Sequence, residues 1–274
     1  MGKMNLQERT VLITGASRGL GRQLALALAE YEGANLILVG RDEGRLRALV
    51  HDIGKRSTSR TRIVVKDLLA EDGARSLFNE TKNEAIFGLV NNAGLTYYGP
   101  TEAASLDQFK SIIELDFRRV VELTLLFFDK LQEGSQGFIL NVTSLASFVP
   151  IPYQSIYSAA KAATQVFSEC LYQEKSKSGV LISTFAPSGM DTDMIRTGEL
   201  TRHMQTHRFS YTDTERAAKV IIKGLKRGKR LIIPGALNRL LYHILDLVPR
   251  RVLIPLAGKI YDYEKYRITE DEPE

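Results

Sequence analysis

A glycine-rich turn near the start of the chain is the feature that most constrains the fold. Residues Thr10–Thr14 form a short apolar, β-branched run, and an alanine- and leucine-rich segment continues to about Glu30. Between them lies a seven-residue turn, Gly15-Ala16-Ser17-Arg18-Gly19-Leu20-Gly21. This order predicts a strand, a tight turn and a helix. Because glycines let the backbone approach a pyrophosphate, and the helix amides and dipole meet its charge, the turn indicates a dinucleotide site.

Strand-like and helix-like segments alternate through most of the chain. Further apolar runs occupy residues 36–39, 62–65, 87–90, 138–143, 180–185 and 230–233. Helices are predicted from about residue 42, after residue 70, over 105–130, around Tyr157 to about 177, and over 212–227. This alternation implies an α/β fold with one Rossmann-like, doubly wound parallel sheet of about seven strands and helices on both faces. We expect residues 1–274 to form a single domain, with 236–274 as a C-terminal helical extension.

The composition is that of an ordinary globular protein, with 44% hydrophobic and 25% charged residues. A single cysteine, Cys170, excludes an internal disulfide, and we expect it to be a buried structural thiol. The sequence has no Cys/His cluster, so we expect no metal site. The first residues lack the apolar core of a signal peptide, which favours a cytoplasmic protein. The net charge of +5 is spread out, so a mildly basic surface is expected rather than nucleic-acid binding.

A second feature combines Tyr157 and Lys161 with Ser144 upstream. A helix carrying Tyr157 and Lys161 four residues apart places both side chains on one face. There the ammonium favours the ionised phenol and lowers a pKa that is about 10 when unperturbed. Ser144 follows an apolar run and is predicted at the carboxyl end of a strand, where open α/β sheets bind ligands. Taken alone the set is more often structural, and the upstream glycine turn is what favours a catalytic role.

Together these motifs resemble the classical short-chain dehydrogenases/reductases over the chain up to about Pro234. The marks appear in the family's order: Thr14-Gly15-Ala16-Ser17-Arg18-Gly19-Leu20-Gly21, Asp67, Asn91-Asn92-Ala93-Gly94, Ser144, Tyr157 with Lys161, and Pro187 followed by Thr192. The resemblance implies an oxidoreductase that interconverts a carbonyl and an alcohol by hydride transfer with a nicotinamide cofactor.

The resemblance also implies roles for single residues. Tyr157 would be the general acid/base, Ser144 would hold the substrate oxygen, and Lys161 would bind the nicotinamide ribose and depress the tyrosine pKa. Cofactor contacts are implied for three further groups of residues: Asp67 and Leu68 at the adenine, Asn92, Ala93 and Gly94 along the cleft, and Pro187, Met190 and Thr192 at the nicotinamide end. Taken singly, Asp67 is also plausible as a helix cap, the asparagines as a turn and Thr192 as a surface hydroxyl, but the three alternatives together are improbable.

Two residues depart from the family's pattern. Asp116 stands where the family has a catalytic asparagine, so a carboxylate would face the water that the asparagine helps to hold. Ser188 replaces the glycine that follows the proline, although Gly189 comes next. The step most affected by Asp116 is proton relay. A dinucleotide-binding sensor or scaffold without turnover is therefore the alternative to an enzyme.

The charge after the second predicted strand bears on the choice of cofactor. An NAD enzyme usually has an acid about 20 residues past the glycine turn, but here the chain reads Val39-Gly40-Arg41, with Arg18 inside the turn. Two forked, charged guanidinium groups suit a 2′-phosphate, which favours NADP(H) over NAD(H). The alternative is that Arg41 only pairs with Asp42 or Glu43 on the surface.

Two helical regions suggest partners. The predicted 105–130 helix is apolar on more than one face, so we expect it to pack against a second copy in a homodimer or homotetramer. Its apolar residues are Val120, Val121, Leu123, Leu125, Leu126, Phe127 and Phe128. Residues 188–211 are expected to form a lid. After the last strand, residues 237–248 and 252–260 form two short amphipathic, basic helices that either cover the cleft or a neighbouring subunit, or attach peripherally to an anionic membrane. Membrane attachment would suit a lipophilic substrate.

Overall fold

The computed structural model describes residues 4–133, 136–190, 212–245 and 247–266. Seven parallel strands form one sheet in these ranges, in the order β3-β2-β1-β4-β5-β6-β7. The strands are β1 Thr10–Thr14, β2 Asn35–Gly40, β3 Thr61–Val65, β4 Ile86–Asn91, β5 Gly137–Val142, β6 Val180–Phe185 and β7 Leu231–Ile232. The strand order reverses between β1 and β4, so the ligand crevice of such a sheet lies at their carboxyl ends. The predicted doubly wound α/β fold is confirmed.

Helices cover both faces of the sheet. The described helices are α1 Gly19–Glu32, α2 Glu43–Gly54, α3 Gly73–Thr81, α4 Leu106–Ile113, α5 Arg119–Glu133, α6 Ser155–Glu174, α7 Thr214–Lys226, α8 Ala236–Leu245, α9 Arg250–Ile260 and the single turn α10 Tyr263–Tyr266. Along β1, Val11 and Ile13 pack against α1, α2 and α7, whereas Leu12 points to the layer containing α3, α5 and α6. The core is therefore two apolar layers divided by the sheet.

The helix predicted over residues 105–130 is interrupted. Ser105 caps α4 by accepting a hydrogen bond from the Gln108 amide at 3.2 Å, but residues Glu114–Arg118 form a π-helical turn before α5 begins. A π turn inserts one extra residue into the helical repeat and rotates the side chains within it. Asp116 lies in this turn and is fully buried.

Cys170 is exposed, so the expectation of a buried thiol was wrong. The residue lies on α6, whose buried face is formed by other positions, including Thr164, Ser168 and Leu171. Residue 170 therefore falls on the outer side of the helix, where its sulfur packs against no core.

Candidate active site

The glycine turn packs closely against the loop that follows β4. Gly15 has φ +66°, and an added Cβ would lie 2.9 Å from the Ala93 Cα. At Gly21 an added Cβ would lie 2.3 Å from the Gly15 carbonyl oxygen. Both approaches are too short for any side chain. Glycine at these positions therefore leaves backbone amides at the start of α1 open toward the crevice, a cradle that fits a pyrophosphate.

Side-chain hydrogen bonds join the β1 and β4 ends of the crevice. The Asn92 Nδ2 donates to the carbonyls of Thr14 at 2.9 Å and Gly15 at 3.1 Å. The Thr14 Oγ1 accepts from the Asn92 amide at 3.0 Å and the Ala93 amide at 3.1 Å. Asn92 thus acts through specific long-range bonds that a simple turn does not require. Gly15, Asn92, Ala93 and Gly94 line the cleft together with Ser17, Gly19 and Leu20.

Positive charge lines one end of the cleft. Arg18, Arg41 and Lys66 all line it, and both arginines are exposed. Asp42 pairs with Arg45 at 3.3 Å and Glu43 with Arg47 at 2.5 Å. In the part of the chain that the structure describes, neither Arg18 nor Arg41 has an ion-pair partner. The alternative in which Arg41 is neutralised by Asp42 or Glu43 is therefore not the arrangement present.

The loop after β3 forms the wall beside these cations. Asp67 Oδ1 accepts a hydrogen bond from the Leu69 amide at 2.9 Å, which makes an Asx-type turn rather than a cap of α3. Leu68 is buried in the cleft lining. The loop also approaches α3 closely, since a Cβ on Gly73 would lie 2.7 Å from the Asp67 carbonyl oxygen. This wall is a fixed turn whose apolar residues Leu68 and Leu69 both line the cleft.

Arg119 supports the same loop from the α5 side, a role that the sequence analysis did not predict. Its side chain is buried at the start of α5, where Nε donates to the Leu68 carbonyl at 2.7 Å and Nη2 to the Ala70 carbonyl at 2.7 Å. Glu114 at 2.7 Å and Glu122 at 2.5 Å neutralise the guanidinium. The only sequence signal is a charged residue on an otherwise apolar helix face. Arg119 ties the π turn to the Asp67 loop.

Tyr157 and Ser144 meet at the centre of the cleft. Ser144 follows β5 and begins a short 3₁₀ turn, where its Oγ accepts from the Ala146 amide at 3.1 Å. Tyr157 lies on the first turn of α6 and lines the same cleft as Ser144, whose side chain acts to lower the pKa of Tyr157. The Lys161 Nζ lies 5.8 Å from the centre of the Tyr157 ring. The structure thus brings together the three residues that the sequence singled out.

Lys161 is held in place by two groups beneath the tyrosine. Its Nζ donates to the Val142 carbonyl at 3.0 Å and lies 3.3 Å from Asp116 Oδ2. Asp116 Oδ1 accepts from the Leu95 amide at 2.7 Å, but Oδ2 accepts no regular hydrogen bond from a described residue. The 3.3 Å contact is therefore an ion pair that lacks good hydrogen-bond geometry. Asp116 is a direct buried partner of Lys161.

Burial and this ion pair decide the electrostatics of the site. Burial raises the pKa of Asp116, while the Lys161 charge opposes that rise. Burial acts to lower the pKa of Lys161, but the Asp116 and Tyr157 charges outweigh it and the net change is upward. For Tyr157, burial raises the pKa, the Lys161 charge lowers it and Asp116 raises it again. The net pKa of Tyr157 therefore lies above 10, and the expected lowering by Lys161 is present only as an opposing effect.

The opposite wall of the cleft is apolar and comes largely from the C-terminal helices. It includes Leu241 and Leu245 on α8, and Leu253, Leu256, Ala257, Ile260 and Tyr261 on or after α9, facing Leu95, Val149 and Ile151. Burial, with a smaller effect of the Tyr157 charge, raises the pKa of Tyr261 to about 12. A second neutral phenol thus lies in the apolar part of the site.

Aromatic contacts fix these helices over the cleft. The Tyr98, Tyr153 and Tyr263 rings form a cluster with centroid separations of 5.7 to 6.3 Å, and the Tyr98 hydroxyl donates to the Tyr261 carbonyl at 3.2 Å. On α8, the Tyr242 ring packs edge-to-face on Phe148 at 4.8 Å. These contacts reach loops that flank the reactive centre. Tyr98 lies in the loop after β4, and Phe148 and Tyr153 lie between Ser144 and Tyr157.

The remaining predicted cofactor residues lie at the far end of the crevice. Pro187 and Met190 line the cleft after β6, and the Ser188 Oγ accepts from Asn238 Nδ2 of α8 at 3.0 Å. Ser188 therefore makes a contact that a glycine cannot make. Thr192 and the lid predicted through residue 211 lie outside the described residues.

A doubly wound sheet with a glycine cradle at its switch point, and with Ser144, Tyr157 and Lys161 in the same crevice, defines the site of a nicotinamide-dependent oxidoreductase. The family model described as short chain dehydrogenase matches residues 9–203, and the chain belongs to this family. It is therefore an oxidoreductase acting on an alcohol or carbonyl group with an NAD(P) cofactor.

Individual relatives agree with this assignment. The chain is 28% identical over 272 residues to 17-beta-hydroxysteroid dehydrogenase type 3 of Rattus norvegicus, covering 94% of this chain and 84% of the relative. It is 32% identical over 235 residues to 11-beta-hydroxysteroid dehydrogenase B of Sesamum indicum, covering 82% of this chain and 64% of the relative. Among solved structures, a short-chain dehydrogenase from Sphingobium yanoikuyae in complex with NADPH matches with a TM-score of 0.79 and 25% identity, covering 97% of this chain and 98% of that one.

Proposed function

We propose that the protein is an NADP(H)-dependent oxidoreductase that interconverts a carbonyl and an alcohol on a lipophilic substrate, with Tyr157 as the general acid/base. One observation carries the proposal. Tyr157, which lies beside Lys161 and shares the cleft with Ser144, lines a single cleft together with both the glycine turn and the apolar C-terminal wall. A reacting carbon at this point would meet a cofactor from one side and an apolar body from the other.

The residues divide the reaction between them. In the reductive direction Tyr157 donates its proton to the carbonyl oxygen while Ser144 hydrogen-bonds to the same oxygen and orients it. The bound nicotinamide supplies the hydride. Lys161 stabilises the tyrosinate left behind, because its ammonium lies near the ring and is oriented by the Val142 carbonyl. In alcohol oxidation the same groups act in reverse.

Asp116 modifies this arrangement. Its carboxylate lies 3.3 Å from Lys161, so part of the ammonium charge is compensated before it acts on the phenol. A neutral asparagine at this place would leave the full charge for Tyr157. We infer that the working pH for alcohol oxidation, in which Tyr157 acts as a base, is higher than it would be with asparagine.

NADP(H) is preferred over NAD(H) in this proposal. Arg18 and Arg41 lie on the cleft without ion-pair partners among the described residues, whereas Lys66, which also lines the cleft, is paired with Glu80 at 3.3 Å. A 2′-phosphate would supply the missing negative charge through charge-assisted hydrogen bonds. The NADPH complex of the Sphingobium yanoikuyae structure supports the same choice.

The apolar wall supports a bulky, lipophilic substrate. Its residues from α8 and α9 offer aliphatic surface, and Tyr261 adds a phenol that burial keeps neutral. Two relatives are named as hydroxysteroid dehydrogenases, which suits a rigid apolar substrate with one reactive oxygen. A panel of small and bulky ketones, followed by NADPH consumption, tests this directly.

Assembly and location are part of the proposal. We infer a homodimer or homotetramer of a single-domain chain in the cytoplasm, formed through α5 and α6, because Leu125 and Val166 are 56% and 59% exposed there. Four of the seven apolar residues that suggested this interface, Val120, Leu123, Phe127 and Phe128, are buried in the core instead. A monomer in light scattering at micromolar concentration would contradict the assembly.

A cofactor-binding sensor or scaffold without turnover is the second candidate, and the buried Asp116–Lys161 pair favours it. Comparing NADPH consumption by the wild-type protein and Tyr157→Phe separates the two. Turnover that the substitution removes supports the enzyme. Tight NADPH binding without turnover across the panel, unchanged by the substitution, supports the sensor.

A further inference from the structure

The exposed apolar side chains of this protein are concentrated on the C-terminal helices. Fifteen large apolar side chains are exposed in the described residues, and nine of them lie between residues 237 and 260. These nine are Leu237, Leu240, Leu241, Ile244, Leu247, Val252, Ile254, Leu256 and Ile260, with exposures from 36% to 84%. We call them the apolar C-terminal face. Single exposed leucines are ordinary, but nine exposed apolar side chains on two consecutive helices mark a candidate interaction surface.

Packing of the helices does not account for this face. On α8 and α9 the buried residues are Asn238, Leu253 and Ala257. The sides of these helices that face the protein therefore bury few residues, and most of the apolar residues remain exposed. Three members of the apolar face, Leu241, Leu256 and Ile260, are exposed and also line the cleft. The face is therefore continuous with the lining of the substrate half of the cleft.

Unpaired positive charge borders the same face. Arg239, Arg250, Arg251 and Lys259 are exposed, and none of them forms an ion pair with a described residue. Elsewhere many surface cations are paired, as Arg47 is with Glu43 at 2.5 Å. Asp246 is the only acidic residue in the sequence from 236 to 260. Apolar residues bordered by cations complement the acyl chains and headgroups of an anionic bilayer.

We propose that α8 and α9 form a docking surface for an anionic lipid bilayer, with the apolar C-terminal face inserted at the headgroup boundary and the substrate half of the cleft opening toward the lipid. In the ranges that the structure describes, no helix is long and apolar enough to span a membrane, so attachment through these helices would be peripheral. The docking rests on surface chemistry alone. The further step, that a lipophilic substrate enters from the bilayer, rests on the proposed function.

The test is co-sedimentation of the full chain with vesicles of phosphatidylcholine alone or with about one third phosphatidylserine. We expect at least tenfold stronger binding to the anionic vesicles at low salt, with partial release at high salt. Leu240→Asp with Val252→Asp changes two exposed residues that do not line the cleft, and should reduce binding at least tenfold. The matched control, Tyr31→Asp with Leu106→Asp, removes exposed apolar residues elsewhere and should stay within twofold.

A second pair of variants guards against misfolding. Arg250→Glu with Arg251→Glu should weaken binding to anionic vesicles at least fivefold, whereas Lys223→Glu with Arg227→Glu on and after α7 should not. Far-UV circular dichroism and melting curves should match the wild type in all variants. Wild-type protein that stays in the supernatant with both vesicle types at low salt would overturn the proposal, whatever else covers the face.

Two further outcomes identify other occupants. If Leu240→Asp with Val252→Asp turns an oligomer into a monomer and the wild type ignores vesicles, the face joins copies of this chain and the membrane proposal is wrong. NADPH consumption with a water-soluble ketone is measured in the same variants. Its absence in the wild type would count against the proposed function only, because vesicle binding needs no turnover.

Discussion

The two walls of the cleft are built in different ways. The cofactor wall consists of strand ends and turns whose backbone is fixed by glycine and by short hydrogen bonds, such as those from Asn92 to Thr14 and Gly15. The substrate wall consists of two helices added after the sheet and held mainly by ring contacts, such as Tyr242 on Phe148. The first wall tolerates little change in shape, whereas the second is set by side-chain packing. We therefore expect substitutions in the cofactor wall to change NADPH affinity and substitutions in the substrate wall to change the kinetic constants for the ketone.

Removing the Tyr157 hydroxyl should give the largest effect, because Tyr157 lies where the two walls meet. Tyr157→Phe should lower kcat by about 10² to 10⁴, the usual contribution of a general acid, and leave the NADPH dissociation constant within twofold. Steady-state kinetics and fluorescence titration measure the two quantities. A loss of NADPH affinity as large as the loss of kcat would show that Tyr157 serves the cofactor wall instead.

Arg119 tests how far the cofactor wall depends on support from below. Arg119→Met removes the bonds to the Leu68 and Ala70 carbonyls, so NADPH affinity should fall by about ten- to a hundredfold through loosening of the Asp67 loop. Arg119→Lys keeps the positive charge but lacks the forked guanidinium that reaches both carbonyls, so it should recover only part of the lost NADPH affinity. The KM for the ketone, measured at saturating NADPH, should not change. An equal rise in that KM would mean that the substitution disturbs both walls.

Arg41 tests the charge of the cofactor wall. Arg41→Ala should weaken NADPH binding about tenfold or more, since a charge-assisted contact contributes about 1.5 to 3 kcal/mol, and should change NADH binding little. Arg75 is also exposed, and Arg75→Ala is the matched control. Equal losses for the two cofactors would refute a 2′-phosphate contact.

Leu253 tests the substrate wall. Leu253 is buried on α9 and lines the cleft, so Leu253→Ala should lower kcat/KM for a bulky apolar ketone about tenfold and leave NADPH affinity unchanged. A small ketone should lose much less, because it does not fill that part of the cleft. If the small ketone loses as much as the bulky one, α9 supports the reacting centre rather than the substrate body.

The difference between the walls also explains what the sequence predicted. The strands, the glycine turn and the Tyr157–Lys161 pair are set within a few residues of one another, so their pattern is readable along the chain. Arg119 reaches the Leu68 carbonyl 51 positions away, and Tyr98 reaches the Tyr261 carbonyl 163 positions away. Contacts over such separations depend on how elements pack, and no local periodicity encodes them.

The π turn is a second feature that the local sequence pattern did not predict, and it decides the position of Asp116. An uninterrupted helix over 105–130 gave no indication of whether Asp116 faces solvent or the core. The extra residue in Glu114–Arg118 accompanies full burial of Asp116, which lies against Lys161. The sequence therefore identified Asp116 as an unusual residue and Lys161 as a site residue. The direct ion pair between them and the raised pKa of Tyr157 followed only from the three-dimensional packing.

Asp116 gives the smallest and most specific prediction. The Asp116 charge raises the pKa of Tyr157, so Asp116→Asn should lower that pKa and move the rising limb of alcohol oxidation to lower pH. The sign follows because oxidation needs the ionised phenol, and a lower pKa supplies it at lower pH. NADPH affinity and the melting temperature at neutral pH should change little, since the amide can still accept from the Leu95 amide. Glu114→Gln, which removes an acid of the same turn that pairs with Arg119, controls for charge loss without contact to Lys161. An unshifted pH profile in Asp116→Asn, with turnover intact, would mean that the ion pair positions Lys161 without tuning Tyr157.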